Sequence, residues 1–327
     1  MASIRRDGDR YKVEVFVNGI RKSKRLDTKA QAKSWAAQME VELGKMAEGV
    51  SATHSFADVF ERYANEVSET KKGAQWEIVR LNMFSRFSIA AVKLVDLRRE
   101  HFERYIVERL AAVKSSSVNR ELNLMSHCLT QARRWRLMSH NPMDDLKRPK
   151  DPAHRDRRIS DREIEMVLLA LNYAEDAPVV QQQQKVAVAF LLAIESGMRA
   201  GEICSLVARH VDLAAQTVFL PDTKNGRPRS VPLSKEAVRL LQRVQPWSDD
   251  GSVFGLASGA LSTLFKRGVG KTDIKDLTFH DTRHEAITRL AQKLDVLDLA
   301  RVVGHRDIKQ LLTYYNKSAA ELAAQLG

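Results

Sequence analysis

Hydrophobic and polar positions along the chain fall into two period-two blocks set within a longer series of period-3.6 stripes. Tyr11, Val13, Val15 and Val17 alternate with Lys12, Glu14 and Phe16, and Asn18-Gly19 follows before Ile20 to Leu26. Alternation around Asn-Gly predicts a β-hairpin, because both turn residues must tolerate positive φ. Ile4 to Arg6 adds a third strand through Asp7-Gly8-Asp9, and the capping box Thr28-x-x-Gln31 opens a helix carrying Trp35, Met39 and Leu43. The expected unit is a three-stranded sheet with one helix behind it. A linker is expected from Gly44 to His54, where Gly49, Ser51 and Thr53 break the helical pattern.

Ser55-x-x-Asp58 caps the next helix, whose Phe56, Val59, Phe60 and Tyr63 form an i, i+3, i+4, i+7 stripe. Further helices are predicted from Trp76 to Phe84, Arg99 to Leu110 and Val118 to Arg136, and Asn141-Pro142 ends the block. Lys147 to Arg158 holds Pro149, Pro152 and many basic residues, so it reads as a linker able to track a phosphate backbone. The capping box Ser160-Asp161-Arg162-Glu163 then precedes Ile164, Val167, Leu168 and Leu171. Val186 to Ile194 is apolar all round and so central to its domain, and the helix ends at Glu195-Ser196-Gly197-Met198-Arg199. Thr217 to Leu220 and Arg229 to Leu233 flank Asn225-Gly226 as a second hairpin. Helices resume at Ser234, at Ser258, and from Thr282 to the end. The fold class is mainly α with small β parts, in three domains: 1–50, an all-helical 55–148, and a mixed, mostly helical α/β domain at 159–327.

Charge narrows the partners. Lys and Arg number 53 against 41 Asp and Glu, a net charge of +12 at pH 7, which a polyanion would relieve. Nucleic acid is favoured over an anionic membrane, because the longest apolar run, Val186 to Ile194, is too short to span a bilayer. The residues Met1 to Asp7 lack a signal-peptide core, so a cytoplasmic location is expected. Cys128 and Cys204 stand apart from any CxxC or Cys/His cluster and read as small buried apolar residues. Arg5, Arg6, Arg10, Lys12, Arg21, Lys22, Lys24 and Arg25 crowd the strands. They predict one basic sheet face for the DNA major groove, against the blander reading of a solvated surface. Lys147, Arg148 and Lys150 are the backbone contacts expected in the linker.

The last third concentrates the chemistry: His280-Asp281-Thr282-Arg283-His284, then Val303-Gly304-His305, then Tyr314-Tyr315. With Arg199 and Lys224 these residues make a cationic cage around an oxygen nucleophile, as attack on a phosphodiester requires. Arg199 and Arg283 would grip phosphate oxygens with planar, permanently charged forks. Glu202, three residues beyond Arg199 on one helical face, would orient that guanidinium. Lys224, beside the second hairpin's tip, is a candidate proton donor to the leaving oxygen, and His280 and His305 would donate to phosphate or shuttle protons. His284 reads as structural. Adjacent residues on a helix point about 100° apart, so only one of Tyr314 and Tyr315 can face the cage. No metal or cofactor is expected: the histidines lack metal-site spacing, and Phe265 stands where a Walker A loop ending in Gly270-Lys271-Thr272 needs glycine.

These boxes, in this order, resemble those of the tyrosine recombinase, or phage integrase, family. Ser196-Gly197-Met198-Arg199-Ala200-Gly201-Glu202 is similar to its TGxRxxE box, and Thr223-Lys224 before Asn225-Gly226 to its hairpin lysine. His280 to His284 resembles its HxLRH box and Val303-Gly304-His305 its LGH, with departures only at the uncharged Ser196, Thr282 and Val303. The resemblance implies that Arg199, Arg283 and His305 hold phosphate, Lys224 protonates the leaving oxygen and His280 assists proton transfer. It selects Tyr314 as nucleophile, because the family's tyrosine follows the LGH histidine by nine residues. It further implies an arm-type DNA-binding domain at 1–50, a core-binding domain at 55–148 and a catalytic domain at 159–327. Core and arm-type duplex sites, a homotetramer on DNA and DNA-bending accessory proteins are the implied partners. The implied function is that of an integrase working through a 3′-phosphotyrosine for a phage or mobile element. A type IB topoisomerase-like enzyme and a non-catalytic DNA-binding regulator are the alternatives. Because a +12 chain binding DNA releases counterions, affinity should fall steeply with salt; a flat plot of log affinity against log salt from fluorescence anisotropy would refute the polyanion reading.

Overall fold

Alternation near the N-terminus produces the sheet it predicts. Strands β1 (Ala2–Asp7), β2 (Arg10–Val17) and β3 (Ile20–Leu26) pair antiparallel in the order β1-β2-β3. The computed structural model describes residues 2–17, 20–47, 51–152, 155–222, 227–248, 250–305 and 307–315. Asn18-Gly19 therefore lies outside the described residues, while Val17 pairs with Ile20 across it. Val13 and Val15 are buried against Ala32, Ala36 and Leu43 of α1 (Lys29–Ala47). The predicted box starts that helix: Gln31 N donates to Thr28 Oγ1 at 3.2 Å and Thr28 N to Gln31 Oε1 at 3.3 Å. The helix continues through Gly44, where a linker was expected to begin. A helical glycine costs only about 1 kcal/mol, and the preceding turn is anchored by buried Leu43.

Strand register corrects the single basic face. Cross-strand partners share a face, so Arg5, Lys12 and Arg25 form one row, joined on the outward side by Arg10 and Arg21. Arg6, Lys22 and Lys24 instead share the face of Val13 and Val15. Acids also meet the outward set: Arg5 and Lys12 pair with Glu14, Arg10 with Asp27, and Arg25 with Asp7.

The helices α2 (Phe56–Tyr63), α3 (Ala74–Phe84), α4 (Arg99–Leu110) and α5 (Ser115–Arg134) follow. Ser55 N donates to Asp58 Oδ2 at 2.6 Å and Asp58 N to Ser55 Oγ at 3.3 Å, and the stripe Phe56, Val59, Phe60, Tyr63 is buried with Phe84, Phe102 and Tyr105. Within that core Glu121 of α5 is 1% exposed. It accepts hydrogen bonds from Tyr105 Oη at 2.8 Å, Arg109 Nε at 2.9 Å and Arg109 Nη2 at 2.8 Å, and pairs with Arg80 at 3.3 Å. One carboxylate thus ties α3, α4 and α5 together. Burial acts to raise its pKa, yet the bonds from Arg109 and Tyr105 outweigh it and the net shift is downward.

The chain divides into two compact units, Met1–His154 and Arg155–Gly327. The second begins with α6 (Asp161–Ala170), started by the predicted Ser160/Glu163 box, and α7 (Gln182–Ser196), buried from Val186 to Phe190 and again from Leu192 to Ile194. The short α8 (Ala200–Cys204) leads to an antiparallel sheet of β4 (Val211–Asp212), β5 (Thr217–Leu220) and β6 (Arg229–Pro232). Strand β4, two residues long, has no periodicity to betray it. Helices α9 (Lys235–Arg243), α10 (Ser258–Val269) and α11 (Asp281–Ala291) pack on α7, and α12 (Val296–Val303) packs on α11. Where a helix was expected to carry the tyrosines, single 3₁₀ turns stand instead, Ile308–Gln310 and Leu312–Tyr314, and the rest of the helical stretch expected to the end, 316–327, lies outside the described residues.

The predicted linker is only partly one. Arg155 Nε and Nη2 hold Asp281 at 2.6 and 2.7 Å, Arg157 pairs with Glu163, and Arg158 Nε reaches Glu285 at 2.7 Å. Its last four residues are therefore a strap fastened to the second unit. The mainly helical fold with two small sheets matches the expected class. Glu121→Ala should destabilise the protein by about 3–5 kcal/mol, because it leaves the Arg109 charge buried without its acceptor. Denaturant titration of the full chain measures this, and a loss near zero would mean that solvent screens the cluster.

Candidate active site

The site is built from helix ends. Gly197 terminates α7 with φ +66°, and a Cβ there would lie 3.3 Å from Val303 Cγ1. That close approach brings the end of α7 to the end of α12, and both ends expose main-chain carbonyls that no helical N–H satisfies. Arg283, in the first turn of α11 and 4% exposed, fills the gap: Nη1 donates to Gly197 O at 2.5 Å and Nη2 to Val303 O at 2.6 Å. Burial and the charge of Arg199 lower its pKa to about 9, so it stays cationic at neutral pH.

Arg199 stands at the N-cap of α8 and bonds Glu202 twice, through its backbone N at 2.8 Å and Nη1 at 2.9 Å. Glu202, 5% exposed, also receives both Nη groups of Arg229 from β6, at 2.8 and 2.9 Å, and Arg229 Nε donates to Val302 O at 3.0 Å. Burial opposes ionisation of Glu202, but Arg229 and Arg199 overcome it and bring its pKa to about 2. Three guanidinium groups against one carboxylate leave an excess of positive charge, which makes this an anion site.

His305 follows Gly304, whose φ of +68° ends α12. Burial, then the charges of Arg283, Arg199 and Arg229, lower its pKa to about 4, so its imidazole is neutral at physiological pH. His305 Nδ1 is buried with no hydrogen-bond partner among the described residues. The two tyrosines separate cleanly. Tyr315 Oη donates to Leu294 O at 2.9 Å, whereas Tyr314 Oη meets His284 Nδ1 at 2.8 Å, and His284 Nε2 meets Asp156 Oδ1 at 2.8 Å. Burial raises the Tyr314 pKa, and Arg283 is close enough to pull it back partway.

Arg199, Glu202, Arg283, His305 and Tyr314 are gathered within the second unit. His280 is exposed at the N-cap of α11, and Lys224 lies outside the described residues. Asp281 accepts from Thr278 N at 2.7 Å and from Arg155. In the first unit Lys147, Arg148 and Lys150 are exposed, Arg148 bonding Asn123. Sequence reasoning did not single out Arg229 or Asp156, and it read His284 as structural. His284 carried a signal, since it adjoins Arg283. Arg229 looked like an ordinary strand residue and Asp156 like part of a basic tether.

A partly buried cluster of arginines and a histidine near a tyrosine hydroxyl is the chemistry that phosphoryl transfer to an oxygen nucleophile calls for. Residues 157–321 match the phage integrase family. An integrase/recombinase of Haemophilus influenzae is 37% identical over 295 residues, covering 89% of this chain and 96% of its own. Two solved structures share the fold at 16% identity. A lambda integrase dimer bound to a COC′ core site has TM-score 0.68 over 96% of this chain and 94% of that one. A lambda integrase tetramer bound to a Holliday junction has TM-score 0.64 over 93% and 95%. The chain belongs to the phage integrase family, the tyrosine recombinases.

Among the described residues no group of three or more His, Cys, Asp or Glu side chains is placed to hold a metal ion, and no helix is long and apolar enough to cross a membrane. Because the folded-state pKa of His305 lies below its unfolded value near 6.5, its contribution to stability is present above pH 6.5 and lost as pH falls towards 4. An NMR titration, with the resonance assigned through His305→Gln, should show its imidazole titrating well below pH 6, and higher once phosphate neutralises the arginines; an ordinary midpoint in free protein would refute the packing described.

Proposed function

We infer that this protein is a site-specific recombinase that cleaves and rejoins duplex DNA through Tyr314. The observation that carries the choice of nucleophile is the division between the two phenols: Tyr314 Oη is bonded to His284 within reach of the Arg283 charge, while Tyr315 Oη is tied to Leu294 O. Arg199 and Arg283 neutralise the non-bridging oxygens of the scissile phosphate, and Glu202 with Arg229 keeps Arg199 in place before DNA arrives. A guanidinium already held by carboxylate and carbonyl groups loses little rotamer freedom on binding, so its charge acts on the transition state with small reorganisation. His305, with an unsatisfied buried Nδ1, is a further phosphate neighbour. His280 assists proton transfer.

Attack by Tyr314 forms the phosphorus–oxygen bond of a 3′-phosphotyrosine and breaks the bond to the 5′ oxygen, which takes its proton from Lys224. The covalent ester keeps the phosphodiester's energy, so attack by a second 5′ hydroxyl rejoins DNA without a nucleotide cofactor. We assign residues 159–327 to catalysis, 55–148 to core-site binding and 1–50, with the Arg5, Arg10, Lys12, Arg21 and Arg25 face, to arm-type sites. Lys147, Arg148 and Lys150 follow the backbone between them. A tetramer on two duplexes, integrating or excising a phage or mobile element in the bacterial cytoplasm with DNA-bending proteins, is the assembly this reading favours. Incubation with a nicked suicide duplex tests it: wild type and Tyr315→Phe should form a covalent protein–DNA adduct and Tyr314→Phe none. An adduct retained by Tyr314→Phe would overturn the assignment.

A further inference from the structure

The general base that must relieve Tyr314 of its proton is not supplied by the arginines, which have no acceptor atom. Among the described residues Tyr314 Oη makes one hydrogen bond, to His284 Nδ1 at 2.8 Å, with the two ring centroids 5.1 Å apart. The other imidazole nitrogen, Nε2, lies 2.8 Å from Asp156 Oδ1. A carboxylate only accepts, so Nε2 carries the ring proton, and Nδ1 presents a lone pair to the phenol. The tautomer is therefore set by Asp156, and it is the one a base requires. The distance falls within the reach of direct proton transfer.

We propose that His284, oriented by Asp156, is the general base that deprotonates Tyr314 during strand cleavage. This rests on Tyr314 being the nucleophile. As Tyr314 Oη bonds to phosphorus, its proton passes to His284 Nδ1, and the bond to the 5′ oxygen breaks with its electron pair on that oxygen, which is protonated by the acid on the other side. The resulting imidazolium is stabilised by Asp156. In rejoining, the path reverses: the 5′ hydroxyl attacks and His284 returns its proton to the departing phenolate. Arg283 and His284 are neighbours on α11, so one rigid helix positions both the cation that grips phosphate and the base that activates the nucleophile. Asp156 belongs to the strap whose Arg155 and Arg158 are fastened to Asp281 and Glu285 of the same helix, which holds the acceptor in register.

The experiment is single-turnover cleavage of a suicide duplex by the full chain, with wild type and Tyr314→Phe first establishing that the adduct depends on Tyr314. An adduct independent of Tyr314 would mean that the nucleophile is wrong, whatever His284 does. Given that control, His284→Ala should cleave roughly 10²–10⁴-fold more slowly, as loss of a general base predicts, and added imidazole should restore part of the rate. His284→Asn places an amide near Nδ1 and can keep the phenol's hydrogen bond but cannot take up a proton; it should be as slow as His284→Ala. The defect should persist on a substrate with sulfur in place of the 5′ bridging oxygen, a leaving group that needs no acid. Three results would overturn the proposal: a His284→Asn rate within about threefold of wild type, which marks a positioning role; faster cleavage by His284→Ala, which marks an inhibitory clasp; or rescue by the sulfur substrate, which places the lost proton on the leaving group. If His284→Ala fails to fold, the Asn variant and the sulfur substrate still decide.

Discussion

The site depends on a buried guanidinium held by two helix ends. Stripping water from a cation costs several kcal/mol, and Arg283 recovers it from the carbonyls of Gly197 and Val303. Those carbonyls are the negative ends of α7 and α12, so the contact uses a polarity that the helices already possess. It also converts three segments distant in sequence into one rigid block. A carboxylate in the same place would have neutralised Arg283, and carbonyls hold it without doing so. The residual charge is left for an anion.

The same economy of counterions recurs elsewhere in the second unit. Glu202 serves Arg199 and Arg229, while Glu285 serves Arg158 and Arg289 and also accepts from Ile159 N. Each acid is almost fully buried and each is shared, so cations outnumber acids locally while no acid is left unpaired. Removing one partner of such a cluster exposes a buried charge, which is why these residues carry both stability and the shape of the site. Glu121 plays the matching part among the helices of the first unit.

Local signals in the sequence were legible wherever a local interaction determined the outcome. The boxes at Thr28, Ser55 and Ser160 formed as expected, and α4 spans Arg99–Leu110 with the predicted limits. Failures arose where tertiary contacts decided. Gly44 stays helical within α1, beside buried Leu43, and the basic residues of the first sheet divide between two faces because register, invisible in a list of charges, assigns them. In the site, residue types in fixed boxes pointed to Arg199, Arg283, His305 and Tyr314, which the fold brings together in the second unit. Arg229 and Asp156 were hidden because each bonds a partner remote in sequence, Arg229 to Glu202 and Asp156 to His284.

Gly304 shows how far such dependence reaches. Its left-handed backbone ends α12, and a Cβ there would press on the Arg229 guanidinium at 3.2–3.3 Å. A side chain at this position would therefore strain the turn and push away the arginine that immobilises Glu202, and with it Arg199. In a genetic screen the glycine would score alongside the nucleophile although it has no functional group to offer. Its contribution to recombination is the space it leaves empty.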